Sequence, residues 1–205
     1  MSRFARPLPA GYRHLDELLG PLDELRDNAG RLERWGRRLA DVLLDGGRLL
    51  AAGNGGSAAQ AAHLTSELVG RYRDDRPPFS AIALSSEPSA VTAIANDYGV
   101  AEIFARQVRG HGREGDVLIV LSTSGRSPNA LAAVDAAHTC GMLTWALCGP
   151  PGSPLAASCH DALCVASPHT ATIQEIHLIA IHLLCAVVDA ALADGAASPP
   201  QETLA

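Results

Sequence analysis

The chain has 205 residues, enough for one domain with a full hydrophobic core, or one domain with an appendage. Its residues are 47% hydrophobic, 19% charged and only 4% aromatic, which favours aliphatic helix–sheet packing over a β-sandwich. With a net charge of −6 at pH 7, the protein has no overall positive field to attract nucleic acid or acidic lipid.

The opening MSRFARPLPAGYRH has basic residues with no apolar stretch behind them, so it does not read as a signal peptide. No uninterrupted apolar run reaches the ~18 residues expected of a membrane span. The five cysteines (Cys140, Cys148, Cys159, Cys164, Cys185) are odd in number and form no C-x-x-C pair. They read as small hydrophobes in a reducing compartment. The expectation is a cytoplasmic protein with neither a nucleic-acid nor a membrane partner.

Residues 1–10 hold two prolines and no periodicity, and read as a loose arm. From 12 to 44 the pattern is helical: Leu15, Leu18, Leu19, Leu22 and Leu25, then Leu32, Trp35, Leu39, Val42 and Leu43, recur at three- and four-residue steps. Pro21 should break this stretch into two helices. They have no strand of their own, so they either cover an α/β core or pair with copies of themselves in a homo-oligomer.

From residue 48 short apolar runs alternate with helical patterns. Strands are expected at 48–53, 80–84, 116–121, 143–147 and 162–165, and helices at 57–72, 89–97, 129–140 and 172–192. This rhythm predicts an α/β fold, a doubly wound five-stranded parallel sheet flanked by helices. The expected division is 1–34 as arm and N-terminal helices in oligomer contact, 35–193 as the α/β domain, and 194–205 (DGAASPPQETLA) as a disordered tail.

Two loops follow strands and precede helices: GNGGSAAQ at 53–60 and STSGRSPN at 122–129. Ligands of open parallel sheets bind beyond the carboxyl ends of the strands, where helix N-termini present N–H groups to anions. Glycines such as Gly55 and Gly56 permit close backbone approach, and the hydroxyls of Ser122, Thr123, Ser124 and Ser127 add neutral donors to phosphate oxygens. Neither loop is a dinucleotide fingerprint or a P-loop, and the chain has no lysine at all. A small monophosphate fits better than a triphosphate. The plainer reading is a tight turn and a helix cap.

GNGGSAAQAAHLTSELVGRYRDDRPPFSAIAL, TAIANDYG, GREGDVLIVLSTSGRSPN and TIQEIHLIAIHLLC together resemble the phosphoheptose isomerases of the sugar-isomerase (SIS) domain family. The likeness spans residues 35–192 in order and spacing. It implies the SIS fold and isomerisation of sedoheptulose 7-phosphate to glycero-manno-heptose 7-phosphate, the first step of nucleotide-activated heptose synthesis. It also implies a homotetramer with sites between subunits, and a zinc ion in each.

His63 and Glu67 stand at i, i+4, on one helix face; alone they read as a surface pair. His182 lies in an almost wholly apolar run, and Gln174 precedes it by eight residues, about 12 Å along a helix axis. Hence either Gln174 lies at a bent helix start or the site draws on more than one subunit. By resemblance, His63, Glu67, Gln174 and His182 match the family's metal positions. Glu67 and His182 fit the acid–base roles of a ketose–aldose isomerisation through an enediol. Asn54, Ser57, Asn96 and Asp97 are candidates for orienting sugar hydroxyls, Asn96-Asp97 being otherwise a helix-ending turn. The chain departs from the family pattern at His169, where an acidic residue is expected, at Thr172, where an arginine is expected, and in the 148–155 loop CGPPGSPL. The competing expectation is a non-catalytic SIS protein, a replication-initiator-associating relative or a sugar-phosphate sensor. The presence of both Glu67 and His182 speaks against it.

Overall fold

In the computed structural model, which describes residues 10–197, five parallel strands form one sheet in the order β2-β1-β3-β4-β5. They are β1 (Leu49–Gly53), β2 (Ala81–Ala83), β3 (Val117–Ser122), β4 (Leu143–Cys148) and β5 (Asp161–Cys164). The expected doubly wound α/β architecture is present. Its central strands are buried on both sides, so they read as continuous apolar runs, and their residues sort between two cores with a period of two. Leu49, Ala51, Val117, Ile119, Leu121, Trp145 and Leu147 face one core, while Leu50, Ala52, Leu118, Val120, Ala146 and Cys148 face the other.

The first core is closed by α2 (Ala29–Leu44), α3 (Gly56–Val69) and α8 (Thr170–Ala197), and by Leu25 of α1 (Ala10–Asp27). Trp35 of α2 stacks on Trp145 of β4 with centroids 5.0 Å apart, and its Nε1 donates to Asp161 Oδ2 at 2.8 Å. The second core is closed by α5 (Glu102–His111), α6 (Pro128–Thr139) and the short α7 (Pro154–Ser158). The remaining helix, α4 (Pro88–Tyr98), has no buried residue.

Three differences from expectation have physical causes. Pro21 does not end a helix: α1 runs through it, because Leu18, Leu22 and Leu25 pack onto the core and tertiary contact outweighs one lost hydrogen bond. The break falls at Asn28, whose Nδ2 donates to Glu24 O at 2.9 Å and whose Oδ1 accepts from Arg31. The helices α5 and α7 were not expected, α5 because its apolar residues are diluted by arginines, α7 because it is only five residues long.

Helix α8 starts at Thr170 and reaches Ala197, so the segment expected to be a tail from 194 begins inside it; 1–9 and 198–205 lie outside the described residues. By length and composition alone, Thr170–Asp194 is apolar enough to cross a membrane, although no uninterrupted run in the sequence suggested it. Its Ile173, Ile176, Ala180, Ile181, Leu184, Cys185 and Val188 are instead buried in the first core. All five cysteines are free, with Cys148 and Cys185 buried and the others half-buried.

Candidate active site at the sheet's carboxyl edge

The strand order places the site. From β1 the chain passes to α3 on the first face of the sheet, and from β3 to α6 on the second. The two loops therefore part beside each other at adjacent strand ends, which opens a crevice at the switch point. Both expected phosphate loops lie there. They are tied together by a reciprocal amide pair: Asn54 Nδ2 donates to Asn129 Oδ1, and Asn129 Nδ2 to Asn54 Oδ1, each at 2.9 Å. Asn54, expected to orient a sugar hydroxyl, thus spends one donor and one acceptor on bracing the loops.

Gly55 takes φ of +56°, a turn that favours glycine, and lets α3 start immediately after β1. At Gly56 a Cβ would lie 2.4 Å from Gln174 Nε2, so the missing side chain is what lets the Gln174 amide lie across the start of α3. Gln60 Nε2 also donates to Gln174 O. Ser57 is buried. In the second loop Ser122 is buried and its Oγ accepts from the Gly125 N–H at 3.0 Å, while Thr123 and Ser127 are half-buried and Ser124 is exposed. Ser127 stands at the N-cap of α6 but makes no side-chain cap bond, so its hydroxyl is not used as a helix cap. The 148–155 loop packs onto this serine loop: Leu155 N donates to Gly125 O at 3.0 Å and Gly149 N to Ser122 O at 3.3 Å.

About two turns along from the Gly56–Gln174 contact, α3 and α8 bring three candidates to one point. His63 Nε2 and His182 Nε2 are 2.9 Å apart, and Glu67 Oε1 is 3.5 Å from His63 Nε2. One ring donates its Nε2–H to the bare Nε2 of the other. One donor atom from each of the three residues falls within a 4.8 Å spread. Two imidazole nitrogens and a carboxylate oxygen at such spacing suit a zinc ion. Glu67 is only 17% exposed, and His63 37%, so the cluster is shielded yet reachable.

Gln174 does not lie at a helix start bent toward this cluster. It is in the second turn of α8, two turns before His182, with its amide at Gly56. Asn96 and Asp97 form a separate exposed pair at the end of α4, Asn96 Nδ2 donating to Asp97 Oδ1 at 2.8 Å. Of the departing positions, Thr172 is fully buried with no partner for its Oγ1, and His169 lies 3.8 Å from Glu17 Oε1 of α1.

Two residues at the site escaped the sequence reading. Asn129 looked like a helix-start residue, and only the strand order brings it to Asn54. Tyr72 was expected to end α3, but α3 stops at Val69 and Tyr72 sits in the following loop with its ring centroid 5.6 Å from that of His182. No spacing rule links a loop tyrosine to so distant a histidine.

Comparison with known proteins agrees with this geometry. The SIS domain family model matches residues 14–149, beginning inside α1. The phosphoheptose isomerase of Streptomyces coelicolor is 64% identical over 187 residues, covering 91% of this chain and 81% of that protein. A solved phosphoheptose isomerase from Francisella tularensis superposes with a TM-score of 0.82 at 36% identity, over 87% of this chain and 96% of that one. One from Neisseria gonorrhoeae gives 0.80 at 39% identity, with the same coverage. A sheet with its crevice between β1 and β3, serine and glycine loops at that crevice, and these likenesses lead to one assignment: the chain belongs to the phosphoheptose isomerase family of SIS-domain proteins.

Proposed function

We propose that the protein is an aldose–ketose isomerase that converts sedoheptulose 7-phosphate to glycero-manno-heptose 7-phosphate through an enediol. The observation that carries this reading is the convergence of Glu67 with His63 and His182, on the helix that follows the first of the two loops and on α8. The reaction moves one proton between C1 and C2. A carboxylate next to those carbons takes and returns it, and an imidazole serves the oxygens. Glu67 is assigned the first role and His182 the second. Ser122, Thr123, Ser124 and Ser127 hold the phosphate, with Gly55, Gly56 and Ser57 completing the cradle. Asn54, Asn96, Asp97 and Gln174 are assigned to the sugar hydroxyls.

His63, Glu67 and His182, with Gln174 as a fourth donor, would hold one zinc ion per subunit, which supplies Lewis-acid polarisation of the carbonyl when bound. Gln174 is about 12 Å along α8 from His182, so a small ligand shared by both is best met by two copies of the chain together. A homotetramer with its N-terminal helices at the contacts accounts for that. It also accounts for α4 having no buried residue, and for the exposure of Tyr12, Leu15 and Leu19 on α1 and Leu183 on α8. Cytoplasmic residence belongs to the same reading and rests on the five free thiols.

The test is incubation with sedoheptulose 7-phosphate, followed by NMR. An aldose heptose 7-phosphate signal is expected, and its absence at stoichiometric enzyme would overturn the proposal.

A further inference from the structure

We infer that Arg76, in the loop after α3, is a positioning residue that holds the Glu67 carboxylate against the α8 imidazole. The inference rests on the reading above that Glu67 is the base. The guanidinium is almost wholly enclosed, its side chain 9% exposed, and its donors go to four acceptors. Nη2 donates to the backbone oxygen of Glu67 itself at 2.6 Å, and Nη1 to Leu68 O and Pro77 O, both at 3.0 Å. Nε donates to Asp189 Oδ1 on α8 at 2.8 Å. The ring of Phe79 lies beneath it, 5.2 Å from the guanidinium carbon.

Each contact has a reason. Glu67 O and Leu68 O belong to the last turn of α3, where carbonyls have no intrahelical partner and the helix dipole is negative. A cationic side chain satisfies both needs. Asp189 follows His182 by seven residues, two turns, and so lies on the same face of α8. The result is a closed circuit. Glu67 is tied through its own carbonyl to Arg76, Arg76 to Asp189, and Asp189 through two turns of α8 to His182, which meets His63 and Glu67 again. Lysine could not reproduce it, because an ammonium is a point donor and cannot span a carboxylate and two helix carbonyls with fixed geometry. Arg76 touches no reacting atom in this scheme. It fixes the separation of two groups that do, where a displacement of about 1 Å costs up to 10²-fold in rate.

The experiment is a double-mutant cycle on the full-length protein, reading kcat and KM for sedoheptulose 7-phosphate isomerisation in parent, Arg76→Ala, Glu67→Gln and the double variant. Arg76→Ala is expected to lower kcat roughly 10- to 100-fold with KM within about twofold, since the serine loop is untouched. Because removing Arg76 strands the Asp189 carboxylate, thermal stability falls too, but that loss recurs in every background. In the Glu67→Gln background the Arg76→Ala step is expected to cost no more than about twofold in kcat, because the group it positions is gone. Arg76→Lys should fall between parent and Arg76→Ala, and it carries the same cycle if the alanine variant does not fold. An unchanged kcat in the single variant, or an equal fold-loss in both backgrounds, would overturn the inference and leave Arg76 a purely structural cap. If Glu67→Gln alone matches the parent, the assignment of Glu67 fails instead, a result distinct from either.

Discussion

His177 lies fully buried on α8, with Nε2 donating to Cys148 O at 3.0 Å and Nδ1 left without a partner. Burial pushes its pKa down from 6.5 to about 4, against the smaller opposing pull of the Cys148 carbonyl. The ring is therefore neutral in the fold, while in the unfolded chain it takes up a proton below pH 6.5. Its contribution to stability is complete above about 6.5 and is lost as pH falls toward 4, amounting to about 3 kcal/mol over that window. Urea unfolding at pH 7 and pH 4.5 should show this loss in the parent and a smaller one in His177→Gln. Equal losses would place the acid sensitivity elsewhere. His177 was invisible as a special residue in the sequence, because one more imidazole in TIQEIHLIAIHLLC looks like its neighbour His182. The two differ only in the face of α8 they occupy. The loop residues Asn54, Ser122 and Ser124 were legible as a group, but their separate duties were not. Whether a hydroxyl or amide braces a loop or meets solvent depends on contacts that spacing does not encode.

At the scale of elements, the crossing of α2 on α8 depends on Gly36. A Cβ there would lie 2.5 Å from Val187 Cγ1 and 2.6 Å from Val187 Cβ, both in a β-branched side chain with little freedom to yield. Gly36→Ala gains about 1 kcal/mol of helix propensity yet forces the helices apart, at a cost of about 1–3 kcal/mol. The melting temperature should fall by a few degrees, and adding Val187→Ala should return part of it. A melting temperature equal to or above the parent's would show that the crossing relaxes freely. The strands and long helices were readable from their periodicity to within a few residues. The exception is the α1–α2 junction, where the side chain of Asn28 and the packing of Leu22 and Leu25 decide the break and Pro21 does not. The short β2, with three residues at the sheet edge, and the arginine-diluted α5 mark where a local pattern stops being informative.

For the molecule as a whole, the parallel sheet and its switch point follow from the alternation of apolar runs with helices, and the position of both loops follows from that topology. Spacing alone did not reveal the meeting of α3 with α8: nothing in the i, i+4 interval of His63 and Glu67 selects His182 as the third member, and only the family resemblance grouped them. The exposed Tyr12, Leu15 and Leu19 of α1 and Leu183 of α8 lead us to expect self-association, and the family resemblance sets the expected mass by light scattering at four times the 21.3 kDa chain. A fully active monomer at micromolar concentration would contradict the shared-site proposal. The assignment of Glu67 as the base is tested by exchange of the C1 proton of sedoheptulose 7-phosphate with deuterated solvent, followed by NMR in the parent and in Glu67→Gln. Exchange reports the proton transfer even where product release limits turnover. The parent should incorporate deuterium and form aldose product, and Glu67→Gln should do both at least ~10²-fold more slowly; exchange by Glu67→Gln at the parent rate would show that another group lifts the proton.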